Sequence, residues 1–437
     1  MKSENALYKL LFFCLLFSIA EKSTAQDAWG ASHVIIPAAG LEGKKFKVEA
    51  DVKADVIDDS ASARIWARVD KQKGQGFFEN MWKKPIRNSE WKKYTIEGKI
   101  DSGAQRLVVG TLLQFNGSFY FDNFKVSVEK QKNKWDIVYQ ADFENGDPAF
   151  TQGIAAADPK MGANTLFKTS VATDAAAKSK VLKIEGTDVP NFGNSKKAGH
   201  YADVNGIKMY YEIYGEGPPL VILHGNGGSS ASAGSHIPDL MKKYKVIAVD
   251  SRSQGKSTDT DKPLTYDQMA SDVNELLNQL HIDSAFIWGQ SDGAILCLLL
   301  AKDYPKKVKR VVAYAPNVQP DSSAIEPWAV TWVNKTIAKS TDKHEVKLFE
   351  MMRDYPNVPL DDLRKIQAPC LIMGGDRDVI RLEHLVAMFK HIPNSQLCIL
   401  PGATHGGAWE QKERFLSIMN DFFLKPFRMP DTKDWME

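Results

Sequence analysis

The sequence of 437 residues has little net charge, few cysteines and no long apolar run. Its 56 Lys and Arg residues against 54 Asp and Glu residues leave a formal net charge of +2. This balance excludes binding to nucleic acid or to an anionic membrane through bulk charge. No stretch of 18 apolar residues occurs, so no membrane-spanning helix is predicted. The apolar fraction of 43% is ordinary for a globular protein and excludes global disorder.

The amino terminus has the layout of a secretory signal peptide. Lys2 and Lys9 precede an apolar run over 10–20, and a polar segment follows. Cleavage is expected just after Ala25 or Gln26. We therefore predict a signal peptide over 1–25 and an exported, unanchored protein, either periplasmic or extracellular.

Three cysteines remain after such a cleavage, namely Cys297, Cys370 and Cys398. Their odd number and apolar neighbours predict buried thiols and not a disulfide framework. The hydrophobic core must therefore hold the fold, and the remaining length predicts two or three domains.

Residues 26–135 show the alternation of β-strands. From Phe46 to Val56 every second residue is apolar and every residue between is charged. Further short strands are predicted at 65–69, 94–100, 106–112 and 119–129. Several such strands separated by turn residues predict an all-β sandwich of the jelly-roll kind. Residues 136–195 are weakly patterned, and we interpret them as a linker or a subdomain.

Residues 196–437 instead alternate apolar strands with helices. Strands are predicted at 220–223, 246–249, 285–288, 310–315, 370–373 and 396–400, and helices at 266–280, 293–303, 382–391 and 411–423. Continuous apolar strands between helices predict an α/β fold with a mostly parallel sheet covered on both faces. Only the segment 317–367 lacks this alternation of strands and helices, and a lid is predicted there.

One motif lies between a predicted strand and a predicted helix: Gly289-Gln290-Ser291-Asp292-Gly293. The pattern Gly-x-Ser-x-Gly is typical of a nucleophile elbow, in which small flanking residues permit a tight turn that exposes the serine. The helix that follows directs its free N–H groups and its positive dipole end toward the reacting oxygen.

An acid and a histidine are expected to follow the serine in that order. Asp376 and Asp378 come after the strand at 370–373, and His405 comes after the strand at 396–400. Both positions lie at the carboxyl ends of strands, where α/β sheets place their ligand sites. The residues alone leave Asp376 and Asp378 as alternatives.

With these motifs in place, residues 198–425 resemble the α/β-hydrolase superfamily. The segment 224–228 (His-Gly-Asn-Gly-Gly) is similar to its His-Gly-x oxyanion loop. The segment 250–257 resembles its Asp-x-Arg-Gly-x-Gly-x-Ser turn, with Ser253 in place of the first glycine. The elbow and the short lid are most similar to small-ester hydrolases of the valacyclovirase-like kind.

The resemblance implies the α/β-hydrolase fold and a triad of Ser291, His405 and Asp378. The family places the acid three residues after the glycine that ends the strand, here Gly375, and this position selects Asp378 over Asp376. The backbone N–H groups of Asn226 and Asp292 would form the oxyanion hole. His224, Gly225, Gly289 and Gly293 would have structural roles, and no metal or cofactor is implied.

The function expected is that of a secreted serine hydrolase acting on a small carboxylic ester, thioester, lactone or amide. Haloalkane dehalogenases and most epoxide hydrolases need an aspartate nucleophile, which Ser291 argues against. Three alternatives stay open: an acyl esterase associated with polysaccharides, a carbon–carbon bond hydrolase, and a carbohydrate-binding scaffold that uses a hydrolase fold as a receptor.

Two further sets of residues admit more than one role. Asp292 either only stabilises its helix N-terminus or binds a cationic group of the acyl substrate. Trp328 and Trp332 in the lid are expected to form an apolar wall of the substrate pocket. In the β-region, the alternation places Trp66 on the polar face, where it is expected to stack a glycan ring or to form a domain interface.

Overall fold

The computed structural model describes residues 29–147, 150 and 166–436. The predicted signal peptide lies outside these residues. The described chain divides into two compact units, with the boundary between Lys196 and Lys197. In the described part of the chain, no helix is long and apolar enough to cross a membrane.

The first unit contains two antiparallel sheets. One has the strand order β1-β6-β3-β4, and the other has the order β5-β2-β7-β10-β9 with β8 also paired to β7. Buried side chains of both sheets form one hydrophobic cluster, as expected for a β-sandwich. The strands are β1 Trp29–Pro37, β2 Lys45–Val56, β3 Ser62–Lys71, β4 Gln75–Glu79, β5 Lys92–Lys99, β6 Ala104–Gln114, β7 Gly117–Gln131, β8 Lys134–Ala141, β9 Phe167–Asp174 and β10 Ser179–Gly186.

The interpretation of 136–195 as a linker is wrong, because this region supplies three strands of the second sheet. Strand β10 pairs with β7, and its Leu182 and Ile184 are fully buried in the shared core. Strands β8 and β9 each have one buried residue, Ala141 and Phe167, and their other positions are exposed or half-buried. In β8 the alternation of apolar residues at 135, 137, 139 and 141 was present but was not recognised, whereas β9 has only weak alternation.

Trp66 lies on the outer face of β3, as the alternation predicts, but only 9% of it is exposed. Gly110 stands opposite Trp66 on β6, so no side chain there lifts the indole away from the sheet. The indole N–H donates to the carbonyl oxygens of Ser32 (3.3 Å) and Thr111 (3.1 Å). The expectation of an exposed glycan platform at Trp66 is therefore wrong.

The second unit is built on an eight-stranded sheet with the order β11-β12-β14-β13-β15-β16-β17-β18. The last six strands run parallel, and the β11–β12 hairpin pairs antiparallel at one edge. Asn205 (φ 43°) and Gly206 (φ 83°) form the hairpin turn. The strands are β11 Gly199–Val204, β12 Ile207–Tyr214, β13 Pro219–Leu223, β14 Lys245–Val249, β15 Ala285–Gln290, β16 Val308–Tyr314, β17 Cys370–Gly375 and β18 Ser395–Leu400.

Helices connect the parallel strands, and the predicted lid segment is itself mainly helical. The helices are α1 Ile237–Leu240, α2 Tyr266–Gln279, α3 Asp292–Asp303, α4 Pro327–Lys339, α5 Lys343–Asp354, α6 Leu382–His391, α7 Gly407–Glu410 and α8 Lys412–Leu424. Short 3-10 helices occupy Ser230–Ala233, Pro305–Lys307, Leu360–Lys365 and Thr432–Trp435. The segment 317–367 thus contains α4, α5 and one 3-10 helix.

A buried ion pair joins the turn after β14 to helix α2. The guanidinium of Arg252 donates to both carboxylate oxygens of Asp272 at 2.7 and 2.8 Å. Both side chains are buried, and Arg252 also donates to the backbone oxygen of Asn205 in the hairpin turn. Three separate segments therefore meet at one charged pair. Next to it, Ser253 has φ 66°, a left-handed conformation that favours the glycine of the family pattern.

Candidate active site

The strand order fixes where the loops of the site begin. Strand β13 lies between β14 and β15, so the chain reverses its direction of winding there, and such a switch point opens a crevice at the carboxyl ends of the strands. Leu223 at the end of β13 is opposite Gly289 in β15. The loop 224–228 and the predicted elbow therefore start side by side.

The elbow itself is too tight for side chains at its two glycines. A Cβ atom on Gly289 would lie 2.1 Å from the backbone oxygen of Gly293, and one on Gly293 would lie 2.0 Å from the backbone oxygen of Leu223. Between them Ser291 has φ 54° and ψ −119°, a conformation that non-glycine residues rarely adopt. Such strain persists only where the surroundings impose it, and it is concentrated at functional sites.

His405 and Asp378 form a close pair on the loops after β18 and β17. The imidazole Nδ1–H donates to Asp378 Oδ1 at 2.7 Å, and the Asp378 side chain is fully buried. Burial lowers the pKa of His405, but the charge and hydrogen bond of Asp378, with the charges of Asp292 and Glu410, raise it above 6.5 in the balance. Burial likewise raises the pKa of Asp378, but His405 and two backbone N–H groups outweigh burial and leave that pKa lowered.

Asp376, the alternative acid, has a different partner. Its carboxylate accepts a hydrogen bond from the backbone N–H of Gly402 at 2.8 Å, which ties together the loops after β17 and β18. Of the two carboxylates, Asp378 is therefore the one in contact with His405.

Hydrogen bonds connect the elbow to the loop that carries His405. The side-chain amide of Gln290 donates to the backbone oxygen of His405 at 3.2 Å. Tyr314 lies at the end of β16, and its backbone oxygen accepts a hydrogen bond from the backbone N–H of Ser291 at 2.9 Å. Its hydroxyl donates to the backbone oxygen of Thr404 at 2.8 Å. Ser291 and His405 are thus held on segments that are directly bonded to each other.

His224 braces the loop that follows β13. Its Nδ1–H donates to the backbone oxygen of Gly225 (2.7 Å), and its Nε2 accepts from the backbone N–H of Ser251 (3.0 Å). Burial lowers its pKa, so the ring is neutral with its proton on Nδ1. Gly225 lies against the elbow, because a Cβ atom there would come within 2.7 Å of Gln290 Oε1 and 3.3 Å of Ser291 Cβ.

Asp292, the first residue of α3, has a buried carboxylate beside the elbow. It accepts hydrogen bonds from the side-chain amide of Asn226, at 3.0 Å, and from the hydroxyl of Tyr266. Burial raises its pKa to about 6, although these bonds and the charge of His405 act in the opposite direction. In the described part of the chain, no Lys or Arg forms an ion pair with it.

Helix α5 of the lid contacts the loop that follows β13. Trp328 and Trp332 lie on α4 with 55% and 41% of their surface exposed. The ring of Trp332 packs edge-on against Phe349 of α5, with centroids 5.2 Å apart. The backbone oxygen of Leu348 in α5 accepts from the side chain of Asn226 at 3.5 Å.

Three residues of this region were not identified from the sequence: Gln290, Tyr314 and Tyr266. Gln290 belongs to the elbow motif, which gave a signal for its position but not for its partner. The other two lie far along the chain from the residues that they contact, and no short motif marks them. Among the described residues, no cluster of three or more His, Cys, Asp or Glu side chains has the arrangement of a metal site.

The second unit is similar to several known proteins. A family model described as "alpha/beta hydrolase fold" matches residues 218–344. Human serine hydrolase BPHL is 26% identical over 257 residues, which cover 53% of this chain and 88% of that protein. Zebrafish (Danio rerio) sn-1-specific diacylglycerol lipase ABHD11 is 36% identical over 111 residues, 24% of this chain and 35% of that protein. An enol-lactonase structure from Burkholderia xenovorans has a TM-score of 0.47 and 19% identity, covering 52% of this chain and 100% of that chain.

The strand order, the elbow and the matching family model define the class. Residues 197–436 have the α/β-hydrolase fold, as predicted. The protein is accordingly an enzyme of the hydrolase class.

The geometry of the elbow predicts that Gly293→Ala destabilises the second unit by at least about 2 kcal/mol, because its Cβ atom meets backbone and cannot be accommodated by a side-chain shift. Thermal unfolding of the purified protein measures the effect. Gly406→Ala is the matched control, since a Cβ atom there meets nothing nearer than Glu410 Oε1 at 3.4 Å and the residue has φ −91°. Equal unfolding midpoints for the two variants would contradict the close approach at the elbow.

Proposed function

We propose that the protein is a serine hydrolase that cleaves a small carboxylic ester, thioester, lactone or amide through an acyl-enzyme. The observation that carries the proposal is the strained Ser291 at the head of α3, held on a segment bonded to the loop of the His405–Asp378 pair. The name of the human relative, serine hydrolase, supports the same chemistry.

In the proposed reaction, Ser291 Oγ attacks the carbonyl carbon while His405 Nε2 accepts the hydroxyl proton. Asp378 accepts the hydrogen bond from Nδ1–H of His405, which leaves Nε2 as the basic nitrogen. The negative charge of Asp378 stabilises the imidazolium that forms. The same proton then passes to the leaving group. A water molecule, deprotonated by His405, hydrolyses the acyl-enzyme and regenerates Ser291.

The tetrahedral oxyanion would be stabilised by two backbone N–H groups. Asp292 is the first residue of α3, so helix geometry leaves its N–H without an acceptor within the helix. Asn226 supplies the second donor from a loop packed directly against Ser291. A donor of this kind typically contributes about 3 kcal/mol to the stability of the transition state.

Asp292 gives the proposal a more specific form. Its carboxylate is buried, adjoins the elbow and has neutral donors as its hydrogen-bond partners. A cationic group on the acyl part of the substrate, such as an α-amino group, would supply the counter-charge. We therefore propose amino-acid esters as the preferred substrates.

From the amino-terminal sequence we also propose that the protein is exported and that its signal peptide is cleaved after Ala25 or Gln26.

A fluorophosphonate tests the nucleophile. Incubation of the mature protein is expected to add one phosphonyl group, detected by intact mass, because Ser291 is activated by His405. Ser291→Ala should remove the adduct, and Ser417→Ala, which changes an exposed serine of α8, should retain it. A folded wild-type protein that remains unlabelled would contradict the assembled triad and would favour the binding-scaffold alternative.

The pH dependence of kcat/KM for a neutral ester tests the charges around His405. Activity needs the neutral imidazole, so the acid limb should have a midpoint above 6.5, the ordinary value for histidine. Asp292→Asn removes a negative charge that raises the pKa of His405, so the limb should move to lower pH. A limb that stays in place or moves to higher pH in this variant would argue against the coupling.

Amino-acid esters tested against matched esters without the amino group probe the role of Asp292. We expect kcat/KM for the amino-acid ester to be higher by at least about tenfold, equivalent to about 1.4 kcal/mol. Asp292→Asn should abolish the preference and leave the rate on the plain ester much less affected. If the wild-type enzyme hydrolyses both esters equally, Asp292 acts only at the helix N-terminus.

A further inference from the structure

The outer face of the first sheet in the amino-terminal unit carries an arginine whose charge is not paired. Ser62, Arg64, Trp66 and Arg68 alternate along β3 and therefore share this face. Arg64 is only 4% exposed. One of its terminal nitrogens, Nη2, donates to Gln114 Oε1 at 2.7 Å, whereas Nε and Nη1 have no acceptor in the described part of the chain. Ser62 Oγ, two residues earlier, is also buried without a partner there.

Arg68, on the same face, is paired with a carboxylate, unlike Arg64. Its guanidinium donates to both oxygens of Asp70, and Arg106 donates to the same carboxylate. Among the described residues, no acidic side chain forms an ion pair with Arg64. Burial and the neighbouring charge of Arg87 lower the pKa of Arg64 to about 10, so it remains a cation at neutral pH.

An exposed aromatic ring lies directly over this cation. The Trp82 ring centroid is 4.8 Å from the guanidinium carbon of Arg64, and 54% of the Trp82 residue is exposed. Trp82 belongs to the connection between β4 and β5. This connection, 80–91, contains three cations, Lys83, Lys84 and Arg87, and one acidic residue, Glu90. A flat apolar surface, unused N–H donors and an excess of positive charge thus occur together.

We propose that Arg64 and Trp82 form a binding site for a sugar that carries a carboxylate, such as a uronic acid residue of an acidic glycan. Nη2 donates one hydrogen to Gln114, and its second hydrogen forms a two-donor edge with either Nε–H or Nη1–H. This edge would receive the carboxylate, and the indole would stack on the sugar ring. A guanidinium edge matches the two oxygens of a carboxylate. Because these nitrogens are buried and the indole lies over the guanidinium carbon, binding requires the half-exposed ring to tilt, which moves a surface side chain.

The chemistry favours an acidic glycan over a neutral one. A buried cation with two unused donors is stabilised by an anionic acceptor, and a neutral hydroxyl would leave its charge uncompensated. The site lies in the unit that is separate from the hydrolase fold, so the proposal does not depend on the reaction of Ser291.

The test uses the full mature chain with Ser291→Ala, so that no ligand is consumed. The probe is a galacturonic acid tetramer, titrated by calorimetry and by tryptophan emission, with a neutral glucose tetramer and benzoate as comparison ligands. We expect saturable binding of the acidic tetramer, weakening with added salt, and binding at least about tenfold weaker for both comparison ligands.

Variants of Arg64, Trp82 and Arg106 test whether the acidic tetramer binds at the proposed site. Arg64→Gln should weaken binding of the acidic tetramer at least about tenfold, and Arg64→Lys, which keeps the charge but loses the fork, should give an intermediate loss. Trp82→Phe should retain most of the binding but lose the emission change. Arg106 is an exposed cation of the same face that is paired with Asp70. The Arg106→Gln variant should bind the acidic tetramer with the same affinity as the chain that carries only Ser291→Ala.

Several results would overturn the proposal. They are no binding of the acidic tetramer by the folded chain, equal binding of the neutral tetramer or of benzoate, and equal losses in the Arg64→Gln and Arg106→Gln variants. Unfolding midpoints of each variant show whether a loss comes from the site or from the fold. If Arg64→Gln does not fold, the Arg64→Lys and Trp82→Phe results decide.

Discussion

The close approach of two backbone segments at the elbow is the constraint on which the site depends. Gly293 lies so near the carbonyl oxygen of Leu223 that no Cβ atom fits, and this contact brings the start of α3 against the end of β13. Ser291, between the two glycines of the elbow, has φ 54°. A single steric relation thus brings Ser291, the first turn of α3 and the loop after β13 together.

Around that point, charge is distributed unevenly. Asp378 and Asp292 are both buried carboxylates near His405, but their environments differ. Asp378 is bonded to the imidazole and stays ionised, whereas Asp292 receives neutral donors and is harder to ionise. In the proposed mechanism Asp378 would therefore stay charged throughout, whereas the charge of Asp292 would depend on the group bound beside it.

The sequence allowed the α/β unit to be predicted well, because its motifs are local. The elbow and the strand ends that bear Asp378 and His405 are each recognisable within a few residues of sequence. Where the pattern was weak or the partner distant, prediction failed. Strand β9 has one buried residue and only weak apolar alternation. The burial of Trp66 depends on the glycine across the sheet from it. The residues alone left Asp376 and Asp378 as alternatives, because their separate partners arise from folding, and only the spacing in the family pattern selected Asp378.

The ion pair between Arg252 and Asp272 has an evolutionary consequence. Loss of either partner would leave a buried charge uncompensated, at a cost of about 3–5 kcal/mol, whereas replacement of both by apolar residues can be close to neutral. Single substitutions at these positions are therefore selected against even though neither side chain belongs to the reaction centre. Divergent descendants of this chain should retain both residues or exchange them together, so the pair is inherited as one unit.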